Sequence, residues 1–301
     1  MEVIAVYDEK IVTTGISQGK LFLFIMELLN GNYSFKKALQ LGASDSHAIH
    51  SIEVLEDAVY MADSFNNKIY KFDSKNEFLE TNVGRDPRHM CMDKENIYVA
   101  NFESDNISII EIDSFVLTGS IPAGMKAHDV IYSEKNNSLY TSCYEENEVV
   151  EYNIDTGIRR RFKTDGKPMH IFVLNDTIIV MTYYVNGNVQ TKINFINLLN
   201  GNIEDLINID GLASDLLLDY ENNMLYILNI VDKSLYIADV SSRNSIKKIY
   251  LGGYPESISC SSKNIYVTNS KKQQIDIIEK KGHNLSSLKL MFIPNLIKVI
   301  H

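Results

Sequence analysis

The feature that most constrains the fold is an internal repeat with a period of about forty residues. Each copy contains a short apolar run, a turn, a strand-like segment that begins with an aromatic or apolar residue, and a further alternating segment. Residues 97–113 and 265–279 are the clearest copies, and residues 59–73 form a third. Alternation with a period of two, without helical spacing, is typical of β-strands. The sequence therefore predicts an all-β protein, a β-propeller built from four-stranded antiparallel blades.

The number of blades follows from the residue that begins the second strand of each repeat. This marker residue occurs at Val12, Tyr60, Tyr98, Tyr140, Ile179, Tyr226 and Tyr266. We therefore expect seven blades, and we expect a single propeller domain over residues 1–301 because the composition does not change along the repeats. For ring closure, we expect an inner strand to begin near Glu2 and residues 287–292 to form the last outer strand. Residues 296–300 are then left as an added strand or a cap.

Two of the repeats carry a recognisable motif. Tyr-Val-Ala-Asn at residues 98–101 and Tyr-Val-Thr-Asn at residues 266–269, each followed by an Ile-rich strand, resemble the YVTN-type β-propeller repeat. That family includes surface-layer-like proteins and relatives of the phosphogluconolactonase propellers, so the resemblance implies a seven-bladed propeller. It assigns no activity and no catalytic residue. Streptogramin-lyase propellers are a more distant likeness, since their repeats are typically led by Trp and this chain contains none.

Composition limits the classes of partner. The net charge is −10, from 39 acidic and 29 basic residues, which argues against a nucleic-acid partner because phosphate binding needs clustered cations. Three cysteines are too few and too scattered for a disulfide framework, so we expect a reducing compartment. The first residues lack the pattern of a secretory signal, and no apolar run approaches the roughly 20 residues that cross a bilayer. The sequence predicts a cytoplasmic protein with no membrane partner.

Aligning the starts of the predicted inner strands places polar residues at one repeated position. This position holds Glu2, His50, His89, Asp129, His170, Asp215 and Ser257. Inner strands line the axis of a propeller, so we expect these side chains to converge at one end of the central channel. Imidazole and carboxylate groups are ligands of Zn²⁺, Mn²⁺, Fe and Ni, and they also serve as general bases. The candidate ligands of a divalent metal ion are Glu2, His50, His89, Asp129, His170 and Asp215.

A second interpretation of the same position remains open. Strand starts in a propeller face water, and polar side chains there form local hydrogen bonds with the backbone. One residue earlier, Arg88 and His128 come from adjacent blades and could bind a carboxylate or phosphate group. Together with Ser257 they are the candidate ligand-binding residues. The alternative is that Arg88 and His128 lie in surface loops and pair with nearby acidic groups.

The function is less constrained than the fold. The sequence contains no Gly-x-Ser-x-Gly elbow, no His-Glu-x-x-His pair, no P-loop and no Rossmann glycine pattern, which disfavours a covalent-triad hydrolase. We predict an intracellular propeller that binds a protein or a small molecule at the channel mouth. The alternative is a metal-dependent hydrolase or lyase of the lactonase or streptogramin-lyase type. The sequence does not determine the oligomeric state, and a divalent metal ion is the only cofactor that it suggests.

Overall fold

The computed structural model describes residues 9–29, 32–73, 75 and 77–300. All regular secondary structure in this part of the chain is β-strand. The 28 strands make seven antiparallel sheets of four. The predicted β-propeller with seven four-stranded blades is confirmed. Among the described residues there is no helix that is long and apolar enough to cross a membrane.

The chain divides into two compact units, residues 48–212 and residues 1–47 with 213–301. The assignment of all 301 residues to one domain stays a prediction. The first of these units contains blades 2 to 5, whose strands follow one another in chain order from the inner to the outer edge. They are β4 (Ile49–Leu55), β5 (Ala58–Asp63), β6 (Lys68–Phe72) and β7 (Phe78–Asn82); β8 (Pro87–Met92), β9 (Asn96–Asn101), β10 (Asn106–Glu111) and β11 (Leu117–Pro122); β12 (Ala127–Ser133), β13 (Ser138–Cys143), β14 (Glu148–Asn153) and β15 (Arg159–Lys163); and β16 (Lys167–Leu174), β17 (Thr177–Asn186), β18 (Asn188–Asn197) and β19 (Ile203–Asp210).

The second unit contains blades 1, 6 and 7. Blades 6 and 7 follow the same order, with β20 (Ala213–Asp219), β21 (Met224–Asn229), β22 (Ser234–Asp239) and β23 (Asn244–Tyr250), then β24 (Pro255–Cys260), β25 (Asn264–Asn269), β26 (Gln274–Glu279) and β27 (Leu285–Lys289). Blade 1 combines both ends of the chain. Its strand order is β28 (Ile293–Ile300), β1 (Glu9–Ser17), β2 (Lys20–Leu29) and β3 (Asn32–Ala43).

The closure of blade 1 differs from the closure expected from the sequence. Glu2 lies outside the described residues, and the inner position of this blade is filled by β28, which pairs antiparallel with β1. The tail expected to be an added strand or a cap is therefore an integral inner strand. Side chains of the neighbouring strands fix it: Thr13 Oγ1 donates to the Leu296 carbonyl at 2.7 Å, and Val299 N donates to Ser259 Oγ at 3.0 Å.

The core lies between consecutive blades, because the second strand of a blade is buried on both of its faces. One cluster between blades 2 and 3 joins Tyr60, Ile97 and Phe115, and a cluster between blades 7 and 1 joins Tyr266, Phe292 and Val299. All seven marker residues of the repeat are buried, none more than 3% exposed. The marker residues therefore lie on the buried face of their strands, as predicted. Packing between blades explains why their side chains are large.

The inner strands of blades 2 to 7 each have a β-bulge near their start. The residues of these bulges include the candidate site residues that the structure describes. In β8 the pairing with β9 shifts between Pro87 and Met90, so that Arg88 and His89 lie opposite one residue. A bulge redirects the side chains of the residues that it contains. We call the two residues the first and second bulge positions. In β4 the same shift falls between Ile49 and Ser51, which makes His50 the first position and Ser51 the second.

Candidate metal centre

Four histidines from four consecutive blades converge in the unit of residues 48–212. His50 lies on β4, His89 on β8, His128 on β12 and His170 on β16. The ring centroids of His89 are 5.0 Å from His50, 5.0 Å from His128 and 4.7 Å from His170. His128 is also 5.5 Å from both His50 and His170. The predicted convergence of His50, His89 and His170 therefore occurs, and His128 joins them.

The bulges explain why histidines from two different register positions meet. His50 and His128 occupy the first bulge position of their strands, whereas His89 and His170 occupy the second. The sequence alignment placed His50 one position too late, because it treated the strand starts as regular. The four imidazoles consequently do not form one layer at a single repeated position. They form a compact group in which each blade contributes one ring.

Three of the rings have the geometry of a metal site. One donor atom from each of His50, His89 and His128 can be chosen so that all three lie within 4.8 Å of one another. His89 Nε2 and His128 Nδ1 are buried and have no hydrogen-bond partner among the described residues. A buried polar atom without a partner costs about 1–3 kcal/mol, which makes these two nitrogens candidate donor atoms for a metal ion.

The environment keeps these imidazoles neutral. Burial, followed by the positive charge of Arg88 and then by His170, lowers the pKa of His50 from 6.5 to about 3. Burial and then His170 and His50 lower the pKa values of His89 and His128 well below 6.5. His128 is 1% exposed, whereas His50 and His89 retain a partly accessible surface. Neutral imidazole is the form that coordinates a metal ion, so protons compete weakly for this group.

Asp129 lies beside the fourth histidine, and both of its carboxylate oxygens accept hydrogen bonds from the backbone. Its Oδ1 accepts from Val130 N at 2.8 Å and its Oδ2 accepts from Ile171 N at 3.1 Å, a bond that joins blade 4 to blade 5. His170 Nδ1 lies 3.7 Å from the same Oδ2. At this separation the carboxylate acts on the His170 ring through its charge and not through a hydrogen bond. Asp129 therefore forms the hydrogen bonds between side chain and backbone that the second interpretation of this position expects.

The remaining candidates lie in the other unit or outside the described residues. Asp215 Oδ1 accepts from Leu216 N at 2.8 Å and its Oδ2 from Ile258 N at 3.0 Å, which repeats the arrangement of Asp129. Ser257 Oγ accepts from Ile297 N at 3.4 Å. Both occupy the second bulge position and join one blade to the next. Glu2 lies outside the described residues.

Arg88 lies at the edge of the histidine group and packs on an aromatic ring that the sequence analysis missed. Its guanidinium carbon is 3.7 Å from the centroid of Phe102, and the Phe102 ring meets the His128 ring edge-on at 6.2 Å. Asp86 Oδ2 accepts from both Nε and Nη2 of Arg88, at 3.3 and 3.0 Å. The pairing with an acid expected for Arg88 is therefore present. Phe102 directly follows the Asn at the end of β9, and Tyr144 follows β13 in the same way, which was an available sequence signal.

No family model and no curated protein matches the chain. Solved structures do match over nearly its whole length. A protein of unknown function from Desulfotomaculum acetoxidans has 11% identity and a TM-score of 0.76, covering 98% of this chain and 99% of that chain. The periplasmic gluconolactonase PpgL of Pseudomonas aeruginosa has 13% identity and a TM-score of 0.72, with 98% and 99% coverage. AztD of Citrobacter koseri has 10% identity and a TM-score of 0.71, with 98% coverage of both chains.

At these identities the likeness shows the fold alone. The matching structures have different names, gluconolactonase among them, and membership of the YVTN-type repeat family stays a prediction. The cytoplasmic location, the absence of nucleic-acid and membrane partners, and the protein or small-molecule partner also stay predictions.

Proposed function

We propose that this propeller binds a divalent transition-metal ion through His50, His89 and His128. The observation that carries the proposal is the convergence of three imidazoles, with donor atoms within 4.8 Å of one another. A tetrahedral zinc ion with Zn–N bonds of about 2.0–2.1 Å separates its ligand nitrogens by roughly 3.3 Å. Small side-chain rotations would therefore bring the three rings into coordination distance.

The donor set favours some metals over others. The three-histidine group contains neither a carboxylate nor a thiolate. Imidazole donors suit Zn²⁺, Cu²⁺, Ni²⁺ and Fe²⁺, whereas Mg²⁺ and Ca²⁺ prefer oxygen ligands. Three imidazole ligands do not select one of these transition metals over another. Affinity at such sites rises from Mn²⁺ to Cu²⁺ and is lower again for Zn²⁺. The proposed ligand is therefore a divalent ion of zinc, copper, nickel or iron, and zinc is the first ion to test.

The test is the metal stoichiometry of the purified protein after chelation and reloading with Zn²⁺. We expect about one equivalent in the wild type and a loss of affinity of at least tenfold in His89→Ala, because a ligand is removed from the centre of the group. His47→Ala removes a histidine outside the group and is the matched control, which should bind like the wild type. A wild type that retains no zinc, or equal losses in both variants, would reject the proposal.

A second candidate is a metal-dependent hydrolase or lyase, the alternative raised by the sequence. It is favoured by the number of ligands: three histidines leave a coordination position for water, as in catalytic zinc sites. A bound zinc ion would supply an acidified water there, and His170, whose Nδ1 lies 3.7 Å from Asp129 Oδ2, would be the base beside it. The name of the Pseudomonas aeruginosa structure makes gluconolactone a reasonable first substrate. Hydrolysis that disappears on chelation would support this function, and a rate equal to that in buffer would reject it for this substrate.

A further inference from the structure

The charge of the proposed site is not balanced by its ligands. This inference rests on the proposed metal site, in which three neutral imidazoles would leave the two positive charges of the ion uncompensated. Two carboxylates lie near the histidines, and both are occupied: Asp86 pairs with Arg88, and Asp129 accepts from two backbone N–H groups and neighbours His170. Arg88 lies at the edge of the group, where Asp86 at 3.0 Å balances its charge, so the excess would come from the ion itself. A partly buried site with this excess of positive charge is stabilised by an anion.

Arg88 is fixed in position to contact such an anion. Its guanidinium is stacked on Phe102, and its side chain is only 24% exposed. Asp86 binds Nε and Nη2 through a single oxygen, and Nη1 makes no hydrogen bond with any residue that the structure describes. One N–H donor group therefore remains available on an immobilised cation. The guanidinium also lies close enough to act electrostatically on His50, His89 and His128.

The surroundings of Arg88 extend the same character. Lys126 Nζ lies 5.2 Å from the Phe102 centroid, and Lys167 Nζ lies 4.4 Å from the Tyr144 centroid. Each lysine is partly neutralised, by Glu103 at 2.6 Å and by Glu145 at 3.0 Å, respectively. Each of these rim cations is paired with an acid, so the three pairs carry no net charge and the rim offers no excess of positive charge for a polyanion. Two aromatic rings, 6.0 Å apart, provide an apolar surface beside the cations.

We infer that the metal-loaded site binds a small carboxylate, one oxygen of which coordinates the metal while the other accepts a hydrogen bond from Arg88 Nη1. A carboxylate supplies one negative charge and two acceptor oxygens, which match one open coordination position and one available donor group. Metal uptake then prepares the site for the anion, because the charge that attracts the anion is absent until the ion is bound. The protein would act as a receptor for a carboxylate-bearing small molecule.

The experiment uses full-length protein loaded with Co²⁺, whose visible absorption reports the ligands of the metal. Acetate is titrated at constant ionic strength, with acetamide as the uncharged ligand of the same shape. We expect a saturable spectral change with acetate and none with acetamide. Inorganic phosphate is titrated in parallel, and a response at lower concentration than acetate would reassign the ligand to phosphate and overturn the carboxylate inference.

The variant Arg88→Gln separates this role from a structural one, because its two effects have opposite signs. Loss of a charge-assisted hydrogen bond should weaken acetate binding about tenfold or more. Loss of a positive charge beside the ion should leave Co²⁺ bound at least as tightly as in the wild type, or a few-fold more tightly. Lys94→Gln, which removes a cation that is 89% exposed on the same unit, should change neither constant. Equal weakening of Co²⁺ and acetate binding in Arg88→Gln would overturn the inference.

The outcomes distinguish the two proposals. A wild type that binds Co²⁺ but shows no response to acetate leaves the metal site standing and overturns the carboxylate ligand. A wild type that binds no Co²⁺ overturns both.

Discussion

The histidine group shows at the level of single residues how burial sets chemistry. His50, His89 and His128 are kept neutral mainly by removal from water, and Arg88 and the neighbouring imidazoles add to this effect. Each of these pKa values is lower in the folded protein than the usual value near 6.5 in an unfolded chain. Protons therefore bind preferentially to the unfolded state, so acid destabilises the fold. The stability contributed by neutral histidine is complete above pH 6.5 and is lost as the pH falls toward the folded pKa.

We predict that the metal-free protein loses stability steadily between pH 6.5 and pH 4.5. A single histidine of this kind contributes a slope of up to about 1.4 kcal/mol per pH unit in that range. His50→Gln removes one titrating group and should reduce the slope by about that amount, whatever its effect at pH 7.5. Urea unfolding at several pH values in the presence of a chelator measures both slopes. Parallel pH profiles for the two proteins would contradict the assignment of a low pKa to His50.

At the level of strands, the sequence predicted the repeat well and the bulges poorly. Alternation and the marker residues define the phase of each strand, because burial between blades requires large apolar side chains there. A bulge adds one residue without changing this pattern, so the sequence carries little signal for it. This is why His50 was aligned with His89, although its structural equivalent is Arg88. His128 was aligned correctly with Arg88, but without the bulge nothing indicated that side chains at the two neighbouring positions meet.

The second bulge position provides a prediction about a connection between blades. Asp215 accepts from the backbone of its own strand and from Ile258 N of the next blade. We expect Asp215→Ala to cost about 1–3 kcal/mol of unfolding free energy, since two backbone donors lose their acceptor, and to leave the metal stoichiometry unchanged. Asp205→Ala is the control, because Asp205 is exposed and, among the described residues, accepts a hydrogen bond only from Leu206 N. Loss of metal without loss of stability would instead support Asp215 as a ligand.

The two ends of the chain meet in blade 1, and this pairing shows what local sequence patterns cannot predict. β28 and β1 are separated by almost the full length of the chain, so no local periodicity records their contact. Side chains on β28 nevertheless alternate as expected for a strand in this position. Ile297 and Val299 are 3% exposed and face the cluster between blades 7 and 1, whereas Lys298 is only partly buried. Closure by β28 therefore depends on its backbone pairing with β1, on a few apolar contacts and on hydrogen bonds that β28 donates to serines of blade 7.

We predict that Val299→Ser destabilises the protein by about 2–3 kcal/mol, because it removes buried methyl groups and places a hydroxyl among apolar side chains. Lys298→Ser, one residue away on the opposite face, should cost less than about 1 kcal/mol. Urea unfolding measures the difference, and amide hydrogen exchange locates it. Exchange in Val299→Ser should accelerate first in β1 and β24, the strands that contact β28 on either side. If exchange accelerated equally in all blades, opening would be global, and β28 would not be the weak point through which the ends of the chain separate.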